Sequence, residues 1–176
     1  MMARSHVVLG LAAWIAVAPW LHSPVDAAHL GLSVVGSLLP DLDHPQSWVG
    51  RRTRPLSTIV AATLGHRGVT HSALAVFGLV ALLLLIGFRH TGISALAVGY
   101  LSHLAADMLT PRGLRLAWPL RKTWALPLCR TGSAMEPLVV LLIVGAVVVG
   151  SLGYGTGWRA ALPNRLFHPP SFWARP

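Results

Sequence analysis

Five apolar blocks decide what this chain can fold into. They cover residues 7–21, 27–39, 73–88, 93–109 and 137–154. The third is almost pure Leu, Val, Ala and Ile, and the fifth carries no charge. A helix needs about 17–25 apolar residues to cross a bilayer core. The third and fifth blocks reach that with their flanks, the first and fourth approach it, and the second suits a half-span. Charged residues make up 11% of the 176 residues, against about 25% in soluble domains. A soluble chain of this size could not cover five such blocks with so little charge. The expected fold is therefore all-α, an integral membrane helical bundle of about five transmembrane or half-spanning helices. Residues 1–158 form one membrane-embedded domain, and residues 159–176 form an interfacial tail rich in Pro, Arg and aromatics.

The start of the chain admits a second reading. Arg4, an apolar run and Val25-Asp26-Ala27 follow the order of a cleavable signal peptide. Pro19 and Trp20 sit poorly in such a segment, and four more apolar blocks follow it.

The cations give an orientation. If each block crosses the membrane, one side holds ten of them: Arg4, Arg51, Arg52, Arg54, Arg67, Arg112, Arg115, Arg121, Lys122 and Arg130. The other holds Arg89, Arg159, Arg165 and Arg175. Positive residues favour the cytoplasm, which places the N-terminus inside and the C-terminus outside. Trp48, Trp118, Trp124, Trp158 and Trp173 lie near block ends, as interfacial anchors do. The net charge of +9 comes with no nucleic-acid-binding motif, so attraction to anionic lipid explains it and no direct nucleic-acid binding is expected.

Acids are scarce: Asp26, Asp41, Asp43, Asp107 and Glu136. The topology was set by cations alone, yet it puts four of the five on the cytoplasmic side together with His6, His44, His66, His71 and His103. Asp41 and Asp43, in Pro40-Asp41-Leu42-Asp43-His44-Pro45, offer hard oxygen ligands between prolines that stop a helix. His103 and Asp107 are spaced i,i+4 and share a helix face. Ionisable groups within an apolar span are costly and point to function. His66 and His71 flank Arg67-Gly68-Val69-Thr70, a spacing that suits a turn feeding a helix. Thr70 and Ser72 are placed to cap that helix or to fix a histidine tautomer. The bland alternatives are helix capping by Asp and a buried His oriented by Asp. His22, His29, His90 and His168 fall toward the other side and read as packing or interfacial residues. Cys129 is alone, which excludes a disulfide framework and a cysteine zinc cage.

These residues resemble the YdjM/YbcI family of bacterial inner-membrane proteins, described as membrane-bound metal-dependent hydrolases. The likeness runs through His6, the Pro40–Pro45 motif, Ser47 and Gly50, then His66-Arg67-Gly68-Val69-Thr70-His71-Ser72. It continues through Gly99-Tyr100-Leu101-Ser102-His103, Asp107, Thr110, Gly113, Trp118-Pro119 and Glu136, within roughly residues 1–150. The resemblance implies a hydrolase with a metal centre in the bacterial inner membrane.

The expected site holds one or two divalent metals at the cytoplasmic interface. Its ligands are drawn from His6, Asp41, Asp43, His66, His71, His103 and Asp107. Mixed nitrogen and oxygen donors suit Zn²⁺ first, then Mn²⁺ or Fe. Glu136 or His44 is the expected general acid or base, and Arg67, with Arg112, the holder of an anionic group. Membrane lipids are the expected partners. The expected substrate is a phosphoester such as a phospholipid or lipid-linked phosphate. A metal transporter would need polar residues across the whole bilayer, which the third and fifth blocks lack. A non-enzymatic scaffold would bind no metal.

Overall fold

The structure is a computed structural model that describes residues 1–64 and 68–153. Its regular structure is helical: α1 (Ala3–Val17), α2 (Ala27–Leu38), α3 (Trp48–Arg52), α4 (Leu56–Leu64), α5 (Ala73–Leu85), α6 (His90–Met108) and α7 (Met135–Gly153). Two 3₁₀ turns, Leu39–Asp43 and Val69–His71, connect them. Extended pairing among the described residues is a single antiparallel bridge between Leu114 and Trp124. The chain is all-α, and each apolar block became one helix. The short α3 and α4, inside the polar stretch 40–69, were not expected.

Side chains set where helices begin. Asp26 caps α2 by accepting from the His29 N–H at 2.9 Å and from the His29 ring at 2.7 Å. The backbone bond from His29, followed by the ring, holds this carboxyl below its usual range. Ser72 accepts from the Ala75 N–H and starts α5 directly after the 3₁₀ turn that carries His71.

The centre is built by α1, α2 and α6, which pack against one another, with α7 against α1 and α5 against α6. Two glycines make the α2–α6 crossing possible. A Cβ on Gly99 would lie 2.0 Å from the Ser33 carbonyl oxygen, and one on Gly36 would lie 2.2 Å from that of Leu96. Small residues let helix backbones approach this closely. The Ser33 hydroxyl donates to the Gly10 carbonyl at 2.9 Å and ties α2 to α1.

The multi-pass expectation fares differently. Among the described residues, no helix is long and apolar enough to cross a membrane. The reason lies in lengths and composition. α1, α2 and α5 have 15, 12 and 13 residues. At about 1.5 Å per residue these fall short of a ~30 Å hydrocarbon core. α6 has 19 residues but contains His103 and Asp107. α7 is charge-free only after Glu136. The outer faces of α5 and α7 are nonetheless apolar and open, with Phe77 72%, Leu85 85% and Val149 69% exposed. The expected tail, residues 159–176, lies outside the described residues.

Candidate metal centre

α6 supplies the base of the site. His103 and Asp107 stand one turn apart on its inner face, both buried, with His103 Nε2 3.8 Å from Asp107 Oδ2. The close α2–α6 crossing sets the Ser37 carbonyl against the other side of the ring, 2.7 Å from His103 Nδ1. A carbonyl only accepts, so Nδ1 carries the proton and Nε2 presents a lone pair.

His71 arrives on the 3₁₀ turn before α5. The Tyr100 hydroxyl fixes that turn to α6 by donating to the Thr70 carbonyl at 2.5 Å. His71 Nδ1 lies 3.2 Å from Asp43 Oδ2, and the Thr70 hydroxyl donates to the same carboxylate oxygen. Asp43 therefore orients the ring from behind, in the carboxylate–histidine arrangement common around metals. His71 Nε2 then faces His103 Nε2 at 3.3 Å and Asp107 Oδ2 at 3.8 Å.

His6 comes from α1 and is also buried. Its ring stacks on His103 with centroids 3.8 Å apart and an interplanar angle of 14°. His6 Nε2 is 3.4 Å from Asp107 Oδ1, an oxygen that also accepts from the Met1 amino group. His6 Nδ1 is buried with no hydrogen-bond partner among the described residues. Two overlapping triads result: ligand-type atoms of His6, His103 and Asp107 lie within 4.8 Å of one another, as do those of Asp41, His71 and His103. Burial raises the Asp41 carboxyl above its usual range, with His6 acting in the opposite direction.

This donor set fits a divalent cation. With both Nδ1 atoms donating outward, His71 and His103 turn lone pairs toward each other and toward a carboxylate. Imidazole nitrogen and carboxylate oxygen together suit Zn²⁺, Mn²⁺ or Fe.

The other expected residues are placed as follows. His44 is half-buried beside a cavity, and its Nδ1 accepts from the Gln46 N–H at 3.2 Å. Glu136 is buried at the start of α7 and accepts from the Met2 N–H, the Ser5 hydroxyl and the Gly132 N–H, at 2.7, 2.6 and 2.6 Å. It joins the start of α1 to the loop before α7. His66 and Arg67 lie outside the described residues. The sequence reading missed the Ser37 carbonyl, since a backbone acceptor leaves no residue-type signal. Gly36 and Gly99 were the available hint of a close crossing there.

The fold and site define an all-helical protein with a buried cluster of three histidines and carboxylates at one end of its central helices. The chain belongs to the YdjM inner membrane protein family, whose model matches residues 1–164. It is similar to Inner membrane protein YdjM of Escherichia coli (strain K12), with 39% identity over 118 residues, 63% of this chain and 60% of that protein. The YdjM of Shigella flexneri gives the same values. The chain thus spans about 60% of the length of these two relatives. It is also 38% identical over 144 residues to YvsG of Bacillus subtilis (strain 168), 80% of this chain and 88% of that protein. No solved structure matches the chain.

Proposed function

We propose that this protein is a metal-dependent hydrolase of the bacterial inner membrane, acting on a phosphoester such as a phospholipid or lipid-linked phosphate. The carrying observation is the convergence of His6, His71 and His103 on Asp107, with Asp41 beside them. The membrane location is supported by the family and by the open apolar faces of α5 and α7. Such faces mark contact with lipid or a partner. Arg4, Arg51 and Arg112 line the cavity beside the site, which supports a cytoplasmic position for it, with the N-terminus inside and the C-terminus outside.

In this reading His6, His71, His103, Asp107 and Asp41 hold one or two metal ions, with Zn²⁺ preferred and Mn²⁺ or Fe as alternatives. A bound metal supplies Lewis acidity and makes water a nucleophile near neutral pH. Asp43 and the Ser37 carbonyl keep the His71 and His103 protons on Nδ1, which leaves Nε2 to bind. His44, on the cavity wall, is the group proposed to pass a proton to the departing oxygen. Glu136 secures the start of α1 and so the position of His6. The burial of the cluster excludes bulk water, which strengthens the field felt by a bound anion.

The reading is tested by hydrolysis of a phosphodiester by detergent-purified protein with Zn²⁺ or Mn²⁺ restored. Activity that vanishes with chelator and in Asp107→Ala supports it. Activity that survives both overturns it. Cysteine labelling at positions 46 and 112 checks the orientation, and reaction there with a periplasmic reagent reverses it.

A further inference from the structure

A cavity of about 840 Å³ adjoins the cluster, walled by α1, α2, α3 and the segments at Arg112 and Thr131. Asp41 lines this cavity and also belongs to one of the ligand triads, so the cavity leads to the candidate metal centre. Its volume falls within the ~300–1,000 Å³ range of small-molecule sites.

The lining combines two chemistries. Val7, Val8, Val34, Leu38 and Trp48 form an apolar wall. Trp48 is held in place by the Arg52 guanidinium, 3.9 Å from its ring centre. Arg4, Arg51 and Arg112 also line the cavity, and all three are exposed rather than committed to the interior. Asp41 is the one acid among the described lining residues.

We propose that this cavity is the binding site of an anionic amphiphile: a phosphate-type head group carrying a hydrocarbon chain. The assignment of that ligand as substrate rests on the hydrolase reading above. Three guanidinium groups against one carboxylate complement a phosphate or phosphonate, which Arg binds through paired N–H groups. Free inorganic phosphate would leave the Val, Leu and Trp wall without a use, and a sugar-rich head would meet few polar partners along it. A hydrocarbon chain covers that wall and removes it from water. The head group then lies on the Asp41 side, next to the histidines.

The test uses full-length protein in phosphatidylcholine nanodiscs with chelator present, so that binding is read apart from metal and turnover. The probes are dodecylphosphonate, methylphosphonate and inorganic phosphate, none of which has an ester to cleave. Dodecylphosphonate is expected to bind at least about tenfold more tightly than either short probe, a difference of about 1.4 kcal/mol. The exposed pair Arg51→Ala/Arg112→Ala is expected to weaken dodecylphosphonate binding by about tenfold or more. Val34→Trp, which fills the apolar wall, should erase the chain-length dependence. Equal affinity for long and short probes would overturn the proposal in favour of a plain phosphate site. Binding that matches empty nanodiscs, or ignores the arginines, would overturn it in favour of lipid partition. Hydrolysis of a soluble ester without dodecylphosphonate binding sinks this proposal alone, and binding without any hydrolysis sinks the hydrolase reading alone.

Discussion

The Nε2 atoms of His71 and His103 face each other at 3.3 Å, each ring being held from behind at Nδ1. Two neutral imidazoles so arranged direct lone pairs at the same space, beside the Asp107 carboxylate. That geometry suits a shared cation, which imidazole nitrogen and carboxylate oxygen can hold together. The outer partners, Asp43 and the Ser37 carbonyl, set which way those lone pairs point.

Removing an outer partner should therefore weaken metal without unfolding the chain. Asp43→Asn is expected to lower Zn²⁺ affinity by about 10–100-fold, the usual effect of losing a carboxylate behind a ligating His. Competition against a chromophoric chelator measures this. Unchanged affinity would show that Asp43 does not orient His71.

Protons compete with metal for the same lone pairs. Metal binding needs those lone pairs free of protons, so metal affinity falls as pH falls and rises as pH rises. Bound metal stabilises the folded state by mass action. The difference in Tm between metal-loaded and chelated protein should shrink steadily from pH 8 to pH 5.5. A difference constant across that range would contradict ligation by histidine.

The helix crossing should be intolerant at Gly99. A methyl group there meets the Ser33 carbonyl oxygen, so Gly99→Ala must force α2 and α6 apart. Overpacking of this kind costs about 1–3 kcal/mol and displaces His103, one turn along α6, from the Ser37 carbonyl. Gly145→Ala on α7 meets nothing within 4 Å and should be neutral or slightly stabilising. Thermal unfolding of the two variants, with metal content, checks both.

Glu136 separates a holding role from a chemical one. Its three hydrogen bonds to Met2, Ser5 and Gly132 give Glu136→Gln a loss of about 1 kcal/mol or more in stability. Turnover per metal-loaded chain should remain within a few-fold of wild type. A fall of about 10²–10⁴ would instead mark it as a general acid or base.

Much of this was legible from residue type and spacing. The apolar blocks located α1, α2, α5, α6 and α7, because continuous hydrophobicity needs no tertiary information to be seen. The i,i+4 spacing of His103 and Asp107 placed both on one face of α6, and the turn before α5 followed from Gly68 and Ser72. The scarcity of acids made Asp41, Asp43 and Glu136 stand out. Their different positions were not legible. The Asp-x-Asp pair looks symmetric in sequence, yet the 3₁₀ turn sends Asp43 behind His71 and Asp41 toward the cavity. Nothing in sequence shows that Ser5 and two backbone N–H groups reach Glu136. Block length did not show where helices would stop: α2 and α5 end short of their blocks, with 12 and 13 residues. The arginine-lined cavity was hinted at by Arg112 alone, because Arg4 and Arg51 join it only through the packing of α1 and α3.

The most direct measurement is metal content per chain of detergent-purified protein, taken after Zn²⁺ or Mn²⁺ loading and removal of free ion, with His103→Ala and Asp107→Ala alongside. His103 and Asp107 share the first triad, and His103 also belongs to the second. The account predicts one or two tightly held ions in the wild type and loss of metal in both variants, with helical content retained. Wild-type protein that retains no metal, or variants that retain as much as the wild type, would contradict it.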